Sequence, residues 1–444
     1  MAIVCTLPRL WEELPADILR HVFSRIACRA DRKAMAGVCH AWRVTVKGGD
    51  RPPHPRQLPW LLRLNGGDAS VCCLVCGRGI GVLHAAHLPQ QPVDARHARF
   101  FGSHDGGWAF LASAQTSGHV LQNFRTNVAI PLPDFMAEQG GESSPIVHLA
   151  ATLFHHPDHE CCLLASVVKT CPIEATSLRD VVYWRMHHGT VASELYRTEI
   201  EAMEPEDIIF HKGALLALTR QENLLVWISE FVDEERGVTM HGPEHRACGK
   251  SRIYNELAVQ SRYLVESHNN LLMLVRYRKD HNASTEEVKI FQMFEVQMPG
   301  ENGMPVTRYN WVEMSSLYGD MIFVGRGCSR SYEAANYPGF EEGVYFLDDG
   351  SYYREDILFL EDAARQYTSS DNGRWMNSRV DRCFLPEHGP SNYSPPVVTA
   401  EDGRVVKVVN VIVALEAKVV TTEDGRAMHG TNLLMWNYGG KLTG

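Results

Sequence analysis

The chain has 444 residues, more than the ~100–200 residues of one average domain, so several domains or one large repetitive domain are expected. Hydrophobic residues make up 45% and charged residues 22% of the sequence, which excludes wholesale disorder. The formal net charge is −10, although residues 1–50 carry eight Lys/Arg against five Asp/Glu. The acidic main body argues against a nucleic-acid-binding groove.

The cysteine pattern and the N-terminus bear on the cellular compartment. Twelve cysteines occur without the regular spacing of a disulfide framework, so we expect reduced thiols and a location in the cytoplasm, the nucleus or both. Glu12 and Glu13 come before any long apolar run could form, unlike a signal peptide. No apolar stretch reaches the ~20 residues that span a bilayer, and we expect no membrane association.

The first predicted elements are helices within residues 11–47. Pro15 is placed at the start of the first helix, where its missing N–H costs nothing, and Asp31 is expected to cap a second helix. The apolar residues of the first helix recur at the spacing of one helix face: Ile18, Leu19, Val22, Phe23 and Ile26. A unit this small buries little apolar surface by itself, so we expect contact with a partner to stabilise it.

A proline-rich connection follows the helices. It contains Pro52, Pro53, Pro55 and Pro59, a composition that favours an extended and stiff chain. We therefore predict a helical domain over residues 7–48, a linker over 49–59 and one large domain over 60–440.

The large domain is predicted to be mainly β, because short apolar or alternating runs are separated by turn residues and almost no segment has helical periodicity. The predicted strands are residues 71–75, 108–111, 161–168, 181–184, 215–218, 224–227, 271–275, 288–296, 321–324, 344–347 and 405–413. Radial repetition of small sheets enlarges a β fold without leaving long edges exposed. At ~45–50 residues per blade, the length predicts a six- or seven-bladed, Kelch-like β-propeller.

Repeat evidence within this domain is limited to two related segments. Residues 210–227 and 263–275 both follow a pattern of strand, turn and strand. We interpret them as equivalent hairpins of two blades.

Three pieces near the N-terminus have a characteristic order and spacing: Leu14-Pro15-x-Asp17-Ile18-Leu19, Val22-Phe23-x-x-Ile26 and Val38-Cys39-x-x-Trp42-Arg43. They resemble an F-box. That resemblance implies a three-helix motif that docks on the Skp-type adaptor of a cullin-based ubiquitin ligase. The residues it assigns to adaptor binding are Leu14, Pro15, Ile18, Leu19, Val22, Phe23, Ile26, Val38, Cys39 and Trp42. The alternative is a helical hairpin that packs only on the β domain of the same chain and binds no adaptor.

Short pieces of the large domain also follow one another in a fairly specific order. They are Gly102-Ser103-x-x-Gly106-Gly107-Trp108, Leu121-x-Asn123-x-x-Thr126, Ile130-Pro131-Leu132-Pro133, Phe294-Glu295-Val296, Trp311-Val312-Glu313-x-x-Ser316-Leu317-x-Gly319-Asp320-x-Ile322-Phe323-Val324-Gly325 and Gly343-Val344-Tyr345-Phe346-Leu347-Asp348-Asp349. They resemble a plant F-box family whose C-terminal half is a propeller-like domain of unknown function. Where that family has a turn proline and glycine, this chain has Phe124 and Asn127, and asparagine tolerates left-handed backbone angles.

Two clusters have residue types that bind zinc. The first consists of His155, His156, His159, Cys161 and Cys162, yet Pro157 prevents a helix that would align its histidines, and no second ligand pair has zinc-finger spacing. The second is the Cys73-x-x-Cys76 pair, whose β-prone neighbours favour structural thiols. We predict no metal and no cofactor.

Three tryptophans could line a binding surface, namely Trp108, Trp227 and Trp311, but their place within strand patterns favours packing inside the blades. No catalytic motif stands out, and no target-contact residue is predicted.

Three functional hypotheses follow. The first is a non-catalytic receptor that joins the adaptor, and through it a cullin, to an unknown target held by the propeller. The second is an adaptor-independent propeller that sequesters or inhibits a signalling partner. The third is a propeller enzyme or sugar binder, which would need clustered acidic or histidine side chains in the central channel.

Overall fold

The computed structural model describes residues 14–47, 55–75, 99–346 and 371–381, apart from gaps at 66–67, 114–116, 125, 138–142, 171–178, 188–189, 199–202, 232–237, 249–257, 280–283, 300–303 and 372. Three short helices precede a mainly β domain in this part of the chain. None of its helices is long and apolar enough to cross a membrane.

The helices are α1 (Ala16–Phe23), α2 (Arg29–Val38) and α3 (His40–Lys47). Pro15 is the N-cap of α1, as predicted. The N-cap of α2 is Cys28, which makes no side-chain capping bond, so the predicted cap at Asp31 is wrong. Asp31 lies in the first turn instead, where a carboxylate faces the positive end of the helix dipole.

The β domain begins with a separate hairpin, β1 (Trp60–Asn65) and β2 (Asp68–Cys73). Five blades follow. Blade 1 is β3 (Arg99–His104), β4 (Trp108–Ala112), β5 (His119–Asn123) and β6 (Ala129–Pro131). Blade 2 is β7 (Phe135–Ala137), β8 (Ser143–Phe154), β9 (Leu163–Thr170), β10 (Arg179–His187) and β11 (Thr190–Thr198). Blade 3 is β12 (Pro205–His211), β13 (Ala214–Thr219), β14 (Leu224–Phe231) and β15 (Val238–Arg246). Blade 4 is β16 (Ala258–Ser267), β17 (Asn270–Arg278), β18 (Glu287–Pro299) and β19 (Pro305–Glu313). Blade 5 is β20 (Asp320–Phe323), β21 (Arg330–Glu333), β22 (Gly343–Phe346), β23 (Gly373–Met376) and β24 (Arg379–Asp381).

The blades pack face to face around their inner strands. β3 contacts β8, β8 contacts β12, β12 contacts β16, and β16 contacts β21. Separate apolar clusters fill the space between blades 1 and 2, between blades 3 and 4, and between blades 4 and 5. Strands such as β9 and β13 are therefore buried along almost their whole length, which explains their continuous apolar sequences.

The tight turns confirm two sequence predictions. β12 and β13 are joined by Lys212-Gly213, and β16 and β17 by His268-Asn269, with positive φ at all four residues, as in two-residue hairpins. The two related segments are thus the first hairpins of blades 3 and 4. Asn127 has a φ of 60° and adopts the left-handed angle that its place in the turn requires.

The prediction of six or seven blades is wrong, because the described residues form five. The five sheets occupy Arg99–Asp381, so the average blade uses more chain than the ~45–50 residues assumed for one repeat, although blades 1 and 3 are shorter. The predicted strand at residues 405–413 lies outside the described residues, and the Kelch-like character of the blades stays a prediction. The domain limits 7–48, 49–59 and 60–440 also stay predictions, although α3 ends at Lys47 and β1 begins at Trp60.

Candidate functional site

The three helices form a unit with a small core of its own. Its buried members are Leu19, Val22, Phe23, Ile26, Met35, Trp42 and Val46. Trp42 is only 1% exposed and lies at the centre of this unit. Five of the ten residues that the F-box resemblance assigned to adaptor binding are therefore inside this core, namely Leu19, Val22, Phe23, Ile26 and Trp42.

The other five assigned residues reach the surface. Pro15 and Val38 are exposed, with Val38 at 49%, and Leu14, Ile18 and Cys39 are half-buried. A further exposed apolar residue of the helical unit is Val44 on α3, which is 56% exposed. The sequence analysis did not assign it to this surface. Its position two residues after Trp42 was a usable signal, because Trp42 and Val46 are four apart on the buried face of α3 and Val44 is on the other side.

The helical unit is anchored to the propeller at the seam between its first and last blades. Ala27, in the α1–α2 loop, packs into a cluster with Met321, Phe323 and other residues of blade 5. The next residue, Cys28, packs instead with Phe100 of blade 1 and its neighbours. Two adjacent residues thus contact both ends of the ring.

Polar contacts hold this seam as well. Nη1 of Arg32 donates to the carbonyl oxygens of Ile26 at 2.7 Å and Ala27 at 2.8 Å, which fixes the loop that is inserted. Asp105, just after β3, forms ion pairs with Arg56 at 3.0 Å and with Arg330 of blade 5 at 3.5 Å. The hydroxyl of Tyr337 donates to the carbonyl of Arg56 at 2.5 Å.

The centre of the propeller is filled by polypeptide. Val324–Ser329, the loop between β20 and β21, is buried at every residue. Its Gly327 N–H donates to Oδ1 of Asp207 at 2.6 Å, and the Leu264 N–H donates to Oδ2 at 2.7 Å. Blades 3, 4 and 5 therefore meet at one buried carboxylate, where burial raises the pKa of Asp207 to about 7.

A charged network lies beside this carboxylate. Nη1 of Arg262 is 3.0 Å from Oε2 of Glu206, and its Nε is 3.3 Å from Oε1 of Glu222. Burial opposes ionisation of Glu206, but Arg262 and the nearby Arg326 and Arg179 outweigh it and lower its pKa. These charged side chains pair with one another, so the network joins neighbouring parts of the fold.

A surface pocket of about 310 Å³ lies between blades 4 and 5. Leu272, Met314 and Leu317 form its apolar part, and Tyr318, which is 78% exposed, stands at its rim. This volume is near the lower end for small-molecule sites and suits one or two side chains of a bound segment.

The polar wall of this pocket contains serine, histidine and aspartate, but not in a catalytic arrangement. Nε2 of His268 is 2.9 Å from Oδ1 of Asp320. The hydroxyls of Ser267 and Ser331 both donate to Oδ2 of the same carboxylate. Ser267 bonds to the aspartate and not to the histidine, so the order of contacts differs from that of a Ser-His-Asp triad.

Comparison with known proteins assigns the β domain. The family described as KIB1-4 beta-propeller matches residues 80–368. The chain belongs to this family. No curated protein is significantly similar to it in sequence. Among solved structures, the crystal structure of the major Malassezia sympodialis allergen Mala s 1 has a TM-score of 0.25 and 10% identity, covering 56% of this chain and 85% of the allergen.

The histidine- and cysteine-rich segment of this KIB1-4 propeller is the loop between β8 and β9. Nε1 of Trp108 donates to Nε2 of His156 at 3.2 Å, and Nδ1 of His159 accepts from the N–H of Cys161 at 3.1 Å. Burial raises the pKa of the Cys162 thiol to about 12. The described residues contain no group of three or more such side chains that could hold a metal ion, and Cys76 lies outside those residues.

The three tryptophans of the KIB1-4 propeller pack inside the blades, as the strand pattern predicted. Trp108, Trp227 and Trp311 are between 0 and 4% exposed. Each belongs to a different apolar cluster. Their indoles therefore contribute to the apolar packing of the blades.

Proposed function

We propose that this KIB1-4 propeller protein is a non-catalytic receptor of a cullin-based ubiquitin ligase, acting in the cytoplasm, the nucleus or both. The helical unit is an F-box that binds the Skp-type adaptor, and the propeller binds a target protein. Membership of the KIB1-4 beta-propeller family supports a protein-interaction role for the β domain. The receptor raises the effective concentration of the target's lysines near a ubiquitin-charged enzyme and performs no bond chemistry itself.

The observation that carries the proposal is the anchoring of the helical unit. Its α1–α2 loop is inserted between blades 1 and 5 through Ala27 and Cys28, while Pro15, Val38 and Val44 remain exposed. A docking surface fixed to the propeller holds a target at a defined distance from the adaptor. This arrangement is what a bridging receptor needs.

The filled centre of the propeller also favours a binding role over catalysis. The buried Val324–Ser329 loop occupies the place where a channel ligand would lie, and Asp207, the acid at this point, is already bound by two backbone N–H groups.

The first test is co-purification with a recombinant Skp-type adaptor. The wild type should bind, and Leu14→Ala/Pro15→Ala and Val38→Asp should each lose most of the binding, because Pro15 and Val38 lie exposed in the apolar set. Lys33→Asp, a change at another exposed position of α2, is the control and should bind as the wild type does. Circular dichroism checks that all four proteins are folded. A folded wild type that fails to bind the adaptor overturns the proposal.

The second candidate is an adaptor-independent propeller that sequesters or inhibits a signalling partner. It is favoured by the burial of five of the ten assigned docking residues. Packing in the core of the helical unit is enough to account for the apolar character of these five positions, without an adaptor. It predicts that partners of the propeller are bound but neither ubiquitinated nor destabilised in a reconstituted ligase reaction.

A further inference from the structure

The fourth blade carries a two-stranded ribbon that extends beyond its sheet. β18 pairs with β17 only as far as Gln292, opposite Leu272. It continues in register with β19 from the Phe291 and Glu313 pair to the Pro299 and Pro305 pair. Residues 293–299 and 305–311 therefore form a projecting hairpin.

The base of one face of this ribbon is packed against the propeller. The indole of Trp311 is 4% exposed, and its Nε1 donates to the carbonyl of Glu222 at 2.8 Å. Tyr309 lies under the guanidinium of Arg246 from blade 3, 4.7 Å from the ring centroid to Cζ. These contacts fix which face is turned outward, because side chains alternate along each strand.

The opposite face is apolar and exposed. Pairing places Phe294 opposite Asn310, Val296 opposite Arg308, and Met298 opposite Val306 on this face. Its large hydrophobic residues are Phe294, Val296, Met298, Val306 and Val312, which are 39–51% exposed. We call these five residues with Arg308 the ribbon face. Contiguous apolar surface of this kind is typical of a protein-interaction site.

The charge of Arg308 determines which kind of partner can bind the ribbon face. Arg308 is exposed at its centre, and the ribbon carboxylates Glu295 and Glu313 pair with Arg246 and Lys289 instead. The neighbouring polar residues on this side, Gln292 and Asn310, are uncharged. Two copies of the chain paired through this face would bring arginines together with no acid to compensate them, which is unfavourable. A partner that places a carboxylate opposite Arg308 fits this face better than a second copy does.

The edge of the sheet defines the shape of the partner. In blade 4, β19 is the last strand and pairs only with β18 among the described residues. An open edge strand accepts an extended segment by adding a strand, with alternate side chains on one face. The apolar residues of such a segment would continue the ribbon face.

We propose that the ribbon face and the β19 edge bind an extended segment of a partner protein, apolar on one side and carrying an acidic side chain opposite Arg308. This rests on the proposed function in so far as the segment would belong to the ligase target. The contact itself requires only the ribbon.

The probes are two fluorescent nine-residue peptides of alternating valine and threonine, with glutamate or lysine at the centre. Fluorescence anisotropy with the full chain should show about three- to fivefold tighter binding of the glutamate peptide, the effect of one partly exposed ion pair. Arg308→Glu should invert the preference. Val296→Glu should weaken binding of the glutamate peptide about tenfold, because it places a charge in the apolar face.

The matched control is Gln297→Glu, which adds the same charge to the same strand on the opposite side of the ribbon and should leave peptide binding nearly unchanged. Equal affinity for both peptides, no binding of either, or no inversion in Arg308→Glu overturns the inference. A dimer in light scattering that dissociates in Val296→Glu also overturns it, by showing a second copy as the occupant.

The adaptor experiment separates the two proposals. Ribbon variants should still co-purify with the adaptor if the wild type does. Adaptor binding without peptide binding removes the ribbon inference alone. Peptide binding by a wild type that ignores the adaptor removes the ligase role and leaves the ribbon as the site of a sequestering protein.

Discussion

The backbone N–H of Gly327 lies 2.6 Å from Oδ1 of Asp207, although 120 residues separate them in the chain. The other oxygen of the same carboxylate accepts from Leu264 at 2.7 Å. One side chain of blade 3 thus holds blade 4 and the central loop of blade 5 together. Such a buried acceptor is costly to remove, because it would leave backbone donors unsatisfied.

Because the pKa of Asp207 is raised in the folded protein, we predict that the free energy of unfolding depends on pH. Its pKa of about 7 in the folded protein exceeds the value near 3.9 of an unfolded aspartate, so the folded state holds the proton more tightly. This contribution to stability is complete below about pH 4 and is lost as the pH rises towards 7. The difference in unfolding free energy between wild type and Asp207→Asn should therefore change by up to roughly 4 kcal/mol across this window. Urea unfolding at several pH values measures it, and a constant difference would contradict the assignment.

Gly327 should not tolerate a side chain. It has a φ of 70°, and a Cβ there would lie 2.2 Å from the carbonyl oxygen of Ala151. Gly327→Ala should cost more than about 3 kcal/mol, since backbone strain and a backbone clash combine. Gly213, with a φ of 76° and no atom nearer than 3.7 Å, is the matched control. Gly213→Ala should cost only about 1–2 kcal/mol from backbone strain. Equal losses in thermal unfolding would show that the clash is relieved by movement of the loop.

Trp42 should stabilise the helical unit without contacting a partner. Trp42→Ala should destabilise this unit by about 3–5 kcal/mol, because it removes the largest side chain of a small core. Val44→Ala, at an exposed position two residues away, should change stability by less than about 0.5 kcal/mol. Hydrogen exchange of the α1 and α3 amides measures both effects. Unchanged protection in Trp42→Ala would mean that the helices are held by the propeller alone.

The seam between blades 1 and 5 should open when a charge is placed in it. Ala27→Glu would bury a carboxylate among apolar and aromatic residues and should cost at least about 2 kcal/mol. Ala16→Glu makes the same change at an exposed position on α1 and should be nearly neutral. Faster hydrogen exchange of Met321 and Phe323 in Ala27→Glu only would confirm the contact. Identical exchange in both variants would contradict it.

Local sequence determined much of the fold. The alternation of apolar residues, the turn at Asn127 and the related hairpins of blades 3 and 4 depend on neighbours along the chain, so they could be read without a structure. The blade number could not, because it depends on how much chain each blade consumes, and the strands here range from three to thirteen residues. The helix periodicity predicted an apolar face but could not say which part of it is used by the unit's own core.

By itself, the sequence determined that a short helical unit precedes a large mainly β domain, and that Trp108, Trp227 and Trp311 pack inside blades. Only the tertiary structure showed that the Val324–Ser329 loop fills the centre, that Ala27 and Cys28 join the first and last blades, and that one ribbon face stays exposed. These features arise from contacts between residues far apart in the chain. Their free energies depend on which surfaces the fold brings together, and no local pattern encodes that.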